Sequence, residues 1–198
     1  MKIEIRADGA HISGYVNVTG KKSRPVITPR GKVIEEIEPR AFERALGRAG
    51  NITVTVDHDS ACVYASTEER TLNLFEDDIG LHADVLITDA SLIELARNGK
   101  IRGWSFGMYN VKDELEQRAD DLPIRRIKEL DLDHLTLVVH KTPCYSATSI
   151  EVRAAGEVEI ETRAFENVVQ IAEAKEEKSE LPFFDNSRFR ERVGAVKK

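Results

Sequence analysis

Arg102-Gly-Trp-Ser-Phe-Gly-Met108 is the stretch on which the fold turns. In extended chain, successive side chains face opposite ways, so Trp104 and Phe106 share one face while Gly103, Ser105 and Gly107 share the other. The two aromatics call for a core on their side. The glycines clear space beside the serine, and glycine within a strand usually marks a bulge or the close approach of another chain. A second run, Thr53-Val-Thr-Val-Asp-His-Asp59, places a histidine where a β-branched strand breaks into a turn. A hydroxyl and an imidazole presented by two strands are the ingredients of a serine nucleophile, Ser105, and its general base, His58. Structural alternatives exist for both: an Asp-His-Asp turn that solvates a strand end, and glycines that merely admit a bulky neighbour.

A third run, Leu132-Asp-His-Leu-Thr-Leu-Val-Val-His140, sends His134, Thr136, Val138 and His140 to one face. His134 can hold the tautomer of the first histidine, the part an acid plays in a Ser-His-Asp arrangement. Asp131 and Asp133 are rivals for that part. Asp57 faces away from His58 in a strand and is a poor candidate to orient its ring. The Asp-His-Asp group with His134 can also be drawn as a metal site, but its spacing matches no zinc pattern. His11 and His82 have no partner at a useful spacing and read as structural.

Outward from these runs, short strands separated by Gly and Pro fill the first 37 residues, as in Ile12-Ser-Gly-Tyr-Val-Asn-Val18. Pro39 opens a short helix from Arg40 to Arg48 with Phe42, Ala45 and Leu46 as its apolar stripe. Residues 62–87 read as three strands. Asp89 is the expected N-cap of a helix running to Asn98, with Gly99 as its stop. Residues 112–123 are highly charged and read as a helix or a loop. Arg126 to Val139 is a strand pair or one bent strand, and Tyr145 to Val152 is the last strand of the compact part. Beyond it, Glu157 to Glu180 is rich in Glu, Ala and Lys, and is expected to be an exposed helix followed by a basic tail. The chain thus divides into a domain over 1–153 and a charged helical extension over 154–198. Strands that do not alternate regularly with helices predict a mainly β, α+β fold, a barrel or sandwich with helices outside.

The 198 residues carry a net charge of −6 and are 41% hydrophobic, enough for a packed core. An acidic balance argues against a general nucleic-acid coat, and no apolar run is long enough to span a membrane. Two cysteines, Cys62 and Cys144, make a disulfide framework unlikely and fit a reducing compartment.

The order of these elements resembles the prohead (capsid maturation) serine proteases of tailed bacteriophages, the HK97 type. The resemblance spans residues 12–152. It rests on Ser13-Gly-Tyr-Val, the Glu35-Glu-Ile-Glu-Pro-Arg-Ala-Phe-Glu-Arg-Ala-Leu46 element, Val56-Asp-His58, Asp78-Ile-Gly-Leu-His-Ala83, Arg102-Gly-Trp-Ser-Phe-Gly-Met108, Leu132-Asp-His-Leu-Thr-Leu-Val138 and Thr142-Pro-Cys-Tyr145. That family is similar to the herpesvirus assemblins, which implies a β-barrel wrapped by helices and a Ser-His-His triad of Ser105, His58 and His134, with Asp133 as the alternative third member. Phage relatives carry an acid in that strand.

The oxyanion donors do not transfer, since Lys141-Thr142-Pro143 stands where arginines are expected; backbone N–H groups near Lys141 or Gly107 are the substitutes. The resemblance further implies cleavage of a capsid scaffold protein, or of the scaffold segment of the major capsid protein, without a cofactor. Self-cleavage, a homodimer and a place inside the assembling procapsid of a bacterial cytoplasm also follow from it. The alternative is an inactive assembly or scaffolding factor on the same fold.

Overall fold

The computed structural model describes residues 1–140, 153–155, 158–166 and 169–173. In chain order it contains β1 (Lys2–Arg6), β2 (Gly9–Val18), β3 (Pro25–Thr28), β4 (Gly31–Ile37), α1 (Ala41–Leu46), β5 (Thr53–Val56), β6 (Ala65–Ser66), β7 (Leu72–Glu76) and β8 (Gly80–Ile87). There follow α2 (Ala90–Arg97), β9 (Gly103–Glu116), β10 (Ile124–Val138), β11 (Arg153–Ala155), β12 (Val158–Glu166) and β13 (Gln170–Glu173). The expected strand over 145–152, Cys144, Lys141 and Pro143 lie outside the described residues.

A five-stranded sheet runs β13-β1-β2-β8-β7, and an eight-stranded sheet runs β11-β12-β9-β10-β4-β3 with β5 attached to β10 and β6 to β5. Alternation builds both. Along β8, Leu81, Ala83, Val85 and Ile87 are buried while the residues between them are half-exposed. One core gathers these with Ile3 and Ile12 of the small sheet, Trp104, Phe106, Leu135 and Leu137 of the large one, Phe42 of α1 and Leu92 of α2. The mainly β character with few helices is as expected. The closed barrel is not: closure needs the edge strands of a sheet to pair, and among the described residues β13, β7, β11 and β3 stand at the ends of two open sheets.

Both expected helices are present, α1 shorter by one residue at its start and two at its end, and α2 starting as expected after Asp89 and ending one residue early. Asp89 caps α2 by accepting from Leu92 N–H at 2.9 Å. α1 has no side-chain cap at Arg40. Glu76 of β7 does that work instead, accepting from the N–H groups of Arg40 and Glu43 at 2.8 and 2.7 Å. The charged segment after Val111 is neither helix nor loop at its start, since β9 continues to Glu116 against β10. The 126–139 stretch is one long strand with bulges.

The helix expected from Glu157 is also corrected. Val158–Glu166 is a strand antiparallel to β9, and Gln170–Glu173 is a strand parallel to β1. The alternation in Val158-Glu-Ile-Glu-Thr-Arg163 suits a free strand edge, and that long-range pairing outweighs a helix-favouring composition. It also brings Glu161 and Arg163 to a buried ionic cluster. Arg125 donates to Glu35 at 2.8 Å and twice to Glu161 at 2.6 and 2.8 Å. Arg163 donates to Glu35 and to Glu161 at 2.7 and 2.6 Å. Asp113 joins Arg125 and Arg30. The two buried guanidiniums thus face three carboxylates, and the exposed Arg30 completes the charge balance from the surface.

Candidate active site

β10 is the spine of the site. Along one edge it pairs with β9 over its whole length. Its other edge is shared by two short parallel strands, β4 at Ile124–Ile127 and β5 at His134–Leu137. The register that opposes Thr136 to Ser105 on β9 and to Thr55 on β5 sets the Ser105 strand and the His58 strand on either side of one residue. Trp104 and Phe106 are buried in the core, as alternation requires, and Phe106 meets Phe42 of α1 edge-on at 5.5 Å. Ser105 is itself 0% exposed.

His58 lies just past the end of β5, where Asp57 and His58 both have positive φ (48° and 62°). Asp and His are among the side chains that tolerate this region. Side-chain hydrogen bonds from two residues help to hold the turn. The His58 N–H donates to Thr136 Oγ1 at 3.0 Å. The Asp57 carboxylate accepts from the N–H groups of Val139 and His140, each at 2.9 Å, and meets the His140 ring at 3.0 Å. Asp57 therefore secures the backbone that carries His58 rather than its ring, consistent with its facing away.

The turn aims the ring into the sheet. His58 Nε2 is 2.8 Å from Ser105 Oγ, and His58 Nδ1 is 2.7 Å from His134 Nε2. The imidazoles meet edge to face, at 5.1 Å and 81°. His134 Nδ1 is in turn 2.6 Å from Asp133 Oδ2. Ser105, His58 and His134 are thus brought into one hydrogen-bonded line, and Asp133 stands behind His134. Asp131 belongs elsewhere: it pairs with Arg48 at 2.9 Å and accepts from Asn110 at 2.9 Å. The Asn110 amide and the Arg48 guanidinium hold its carboxyl below the usual range. His11 pairs with Asp8, and His82 packs between Tyr15 and Phe75, so both are structural as expected.

Sequence reasoning missed the contact of Asp133 with His134. Strict alternation sends neighbours to opposite faces, but β10 has a register shift between Leu132 and His134 that leaves Asp133 as an extra residue. A bulge of this kind re-aims side chains and is common beside active sites. Sequence gives little signal for it.

Fold and site together define a mainly β protein in which a buried serine is hydrogen-bonded into a histidine pair. The sequence profile of the Caudovirus prohead serine protease family matches residues 1–169, and the chain belongs to that family of serine peptidases. No curated protein and no solved structure matches the chain.

Proposed function

We propose that the chain is the capsid-maturation endopeptidase of an HK97-type phage, with Ser105 as nucleophile, His58 as general base and His134 as the residue that positions His58. The observation that carries this reading is the unbroken line from Ser105 Oγ through both nitrogens of His58 to His134, at 2.8 and 2.7 Å. In the forward step His58 Nε2 takes the hydroxyl proton as Ser105 Oγ attacks a peptide carbonyl. The same nitrogen returns that proton to the leaving amine, and an acyl-enzyme remains. Water, deprotonated by His58, then attacks the ester and restores Ser105. His134 accepts the Nδ1–H of His58, which keeps Nε2 free to act as base. No step calls for a cofactor.

The proposed substrate is the capsid scaffold protein or the scaffold segment of the major capsid protein, met inside the assembling procapsid, with cleavage of the chain's own extension as a further reaction. Family membership supports this choice. Among the described residues no helix is long and apolar enough to cross a membrane. The proposed working unit is residues 1–153, which hold Ser105, His58, His134 and Asp133, with 154–198 as an appendage whose strands extend the sheets. The assemblin relation and a homodimer are part of the same proposal, resting on the resemblance.

The reading is tested by expressing the chain beside its capsid protein and scaffold and weighing the products. Wild type should convert the capsid or scaffold protein to a shorter species, and Ser105→Ala should leave it whole. Assembly without cleavage by either form would favour an inactive assembly factor.

A further inference from the structure

We propose that Asp133 is a positioning residue that fixes the direction of the proton chain, making the catalytic line four members long: Ser105, His58, His134 and Asp133. The proposal rests on the catalytic reading above and settles which of His134 and Asp133 is used, since the two act in series. A carboxylate only accepts hydrogen bonds. At 2.6 Å from Asp133 Oδ2, His134 Nδ1 must therefore be the protonated nitrogen. A neutral imidazole with a proton on Nδ1 has a lone pair on Nε2. That lone pair, 2.7 Å from His58 Nδ1, obliges His58 to carry its own proton on Nδ1 and donate it. His58 Nε2 is then an acceptor, 2.8 Å from Ser105 Oγ. One carboxylate thereby sets three successive donor–acceptor choices and leaves the base unprotonated on the side of the nucleophile.

A pair of neutral histidines lacks this direction. His134 with its proton on Nε2 would confront the Nδ1–H of His58, and the proton of His58 would move to Nε2, where it cannot accept from serine. Asp133 also supplies the negative charge that a His-His pair lacks when His58 becomes imidazolium. Its side chain is 35% exposed, so solvent screens that charge and its electrostatic effect is modest.

Other charged groups near Asp133 are mutually engaged. Arg48 and Asp131 border the same 220 Å³ cavity with Tyr109, and the two are paired. Asp57 faces the N–H groups of Val139 and His140 and the His140 ring from the far side of His58.

The test uses the full chain, a small fluorophosphonate as probe and no peptide substrate. The rate of serine phosphonylation is followed from pH 5 to 9 for wild type, Asp133→Asn, Asp133→Ala and Asp133→Glu, with Ser105→Ala and His58→Ala as controls. Asp133→Asn keeps an acceptor but removes the charge. The imidazolium is then less favoured, so the acid limb of the profile should move to lower pH by about half a unit, and the plateau should fall about threefold. Asp133→Ala loses the acceptor as well, and its plateau should fall about tenfold or more. Asp133→Glu should recover part of the loss.

Nitrogen NMR of the imidazoles supplies a readout that needs no reaction. His134 should carry its proton on Nδ1 in wild type and shift toward Nε2 in Asp133→Ala. Wild-type rates and limbs in every Asp133 variant, with His134 keeping its Nδ1 proton, would overturn the proposal. Undiminished labelling in both controls would instead overturn the underlying assignment of Ser105 and His58.

Discussion

His58 sits at φ 62°, two residues beyond the end of β5, and is held there by Thr136 of β10 and, through Asp57, by the N–H of Val139 just past β10. The general-base role proposed for it depends on that fixed aim, because proton transfer needs the acceptor within hydrogen-bond reach of the hydroxyl. The first three members of the line, Ser105, His58 and His134, should accordingly differ in weight. Ser105→Ala and His58→Ala each remove a reacting group and should reduce scaffold cleavage to assay background. His134→Ala removes a positioning contact and should leave activity at least about tenfold above that background. Rates on one substrate, with folding checked by circular dichroism, decide the ranking. At this scale much was legible in the sequence. Alternation singled out Ser105 between its glycines and placed His58 at a strand end, and the resemblance joined them to His134. The place of Asp133 was not legible, because it follows from a bulge rather than from a residue type.

At the scale of elements, β10 explains why residues remote in sequence meet. Fifteen residues long, it pairs with β9, β4 and β5 in one continuous register broken only by bulges. Thr136 is the joint, fully buried, with its hydroxyl accepting the His58 N–H. Thr136→Val keeps the shape and removes that acceptor. It should lower stability by about 1–2 kcal/mol in urea unfolding and cleavage by severalfold, because the His58 turn loosens. Unchanged cleavage would show that the remaining contacts of the turn suffice to hold it without Thr136 Oγ1.

Elements whose pattern is local were readable: α2 from its Asp89 cap and apolar stripe, and β8 from its alternation. Those decided by distant partners were not. The charged end of β9 and the Glu-rich β12 look unlike strands alone, and each is a strand because an edge stands opposite it.

Across the whole molecule, the buried cluster of Glu35, Arg125, Arg163, Glu161 and Asp113, joined from the surface by Arg30, ties β4, β9, β10 and β12 together. Burial works against the Glu161 and Asp113 carboxylates, but the hydrogen bonds and charges of their arginine partners outweigh it and hold both below the usual carboxylate range. A carboxylate so depressed contributes stability above its unfolded pKa, and that contribution fades as pH falls through the folded value. Unfolding midpoints should thus be steady near neutrality and drop below about pH 4.5.

Glu35→Ala strands Arg163 among fewer partners and should cost about 3–5 kcal/mol at neutral pH. A loss no greater than that of an exposed ion pair would mean the cluster is hydrated. Truncation after residue 157 removes Glu161 and Arg163 together and should lower the midpoint likewise. If instead the truncated chain unfolds with wild-type midpoint and cooperativity, residues 158–173 are an appendage to the fold as well as to the function. Sequence could not show this cluster, nor that the sheets stay open rather than closing into a barrel, since both depend on which edges the last strands cover.

The central claim is that Ser105 is a nucleophile activated by His58. It is tested most directly by treating the purified chain with a small fluorophosphonate and locating the adduct by peptide mass mapping. The account predicts one adduct, on Ser105, absent from Ser105→Ala and lost when His58 is replaced by alanine. An adduct on another residue, or none on Ser105 in a folded wild-type chain, would contradict it.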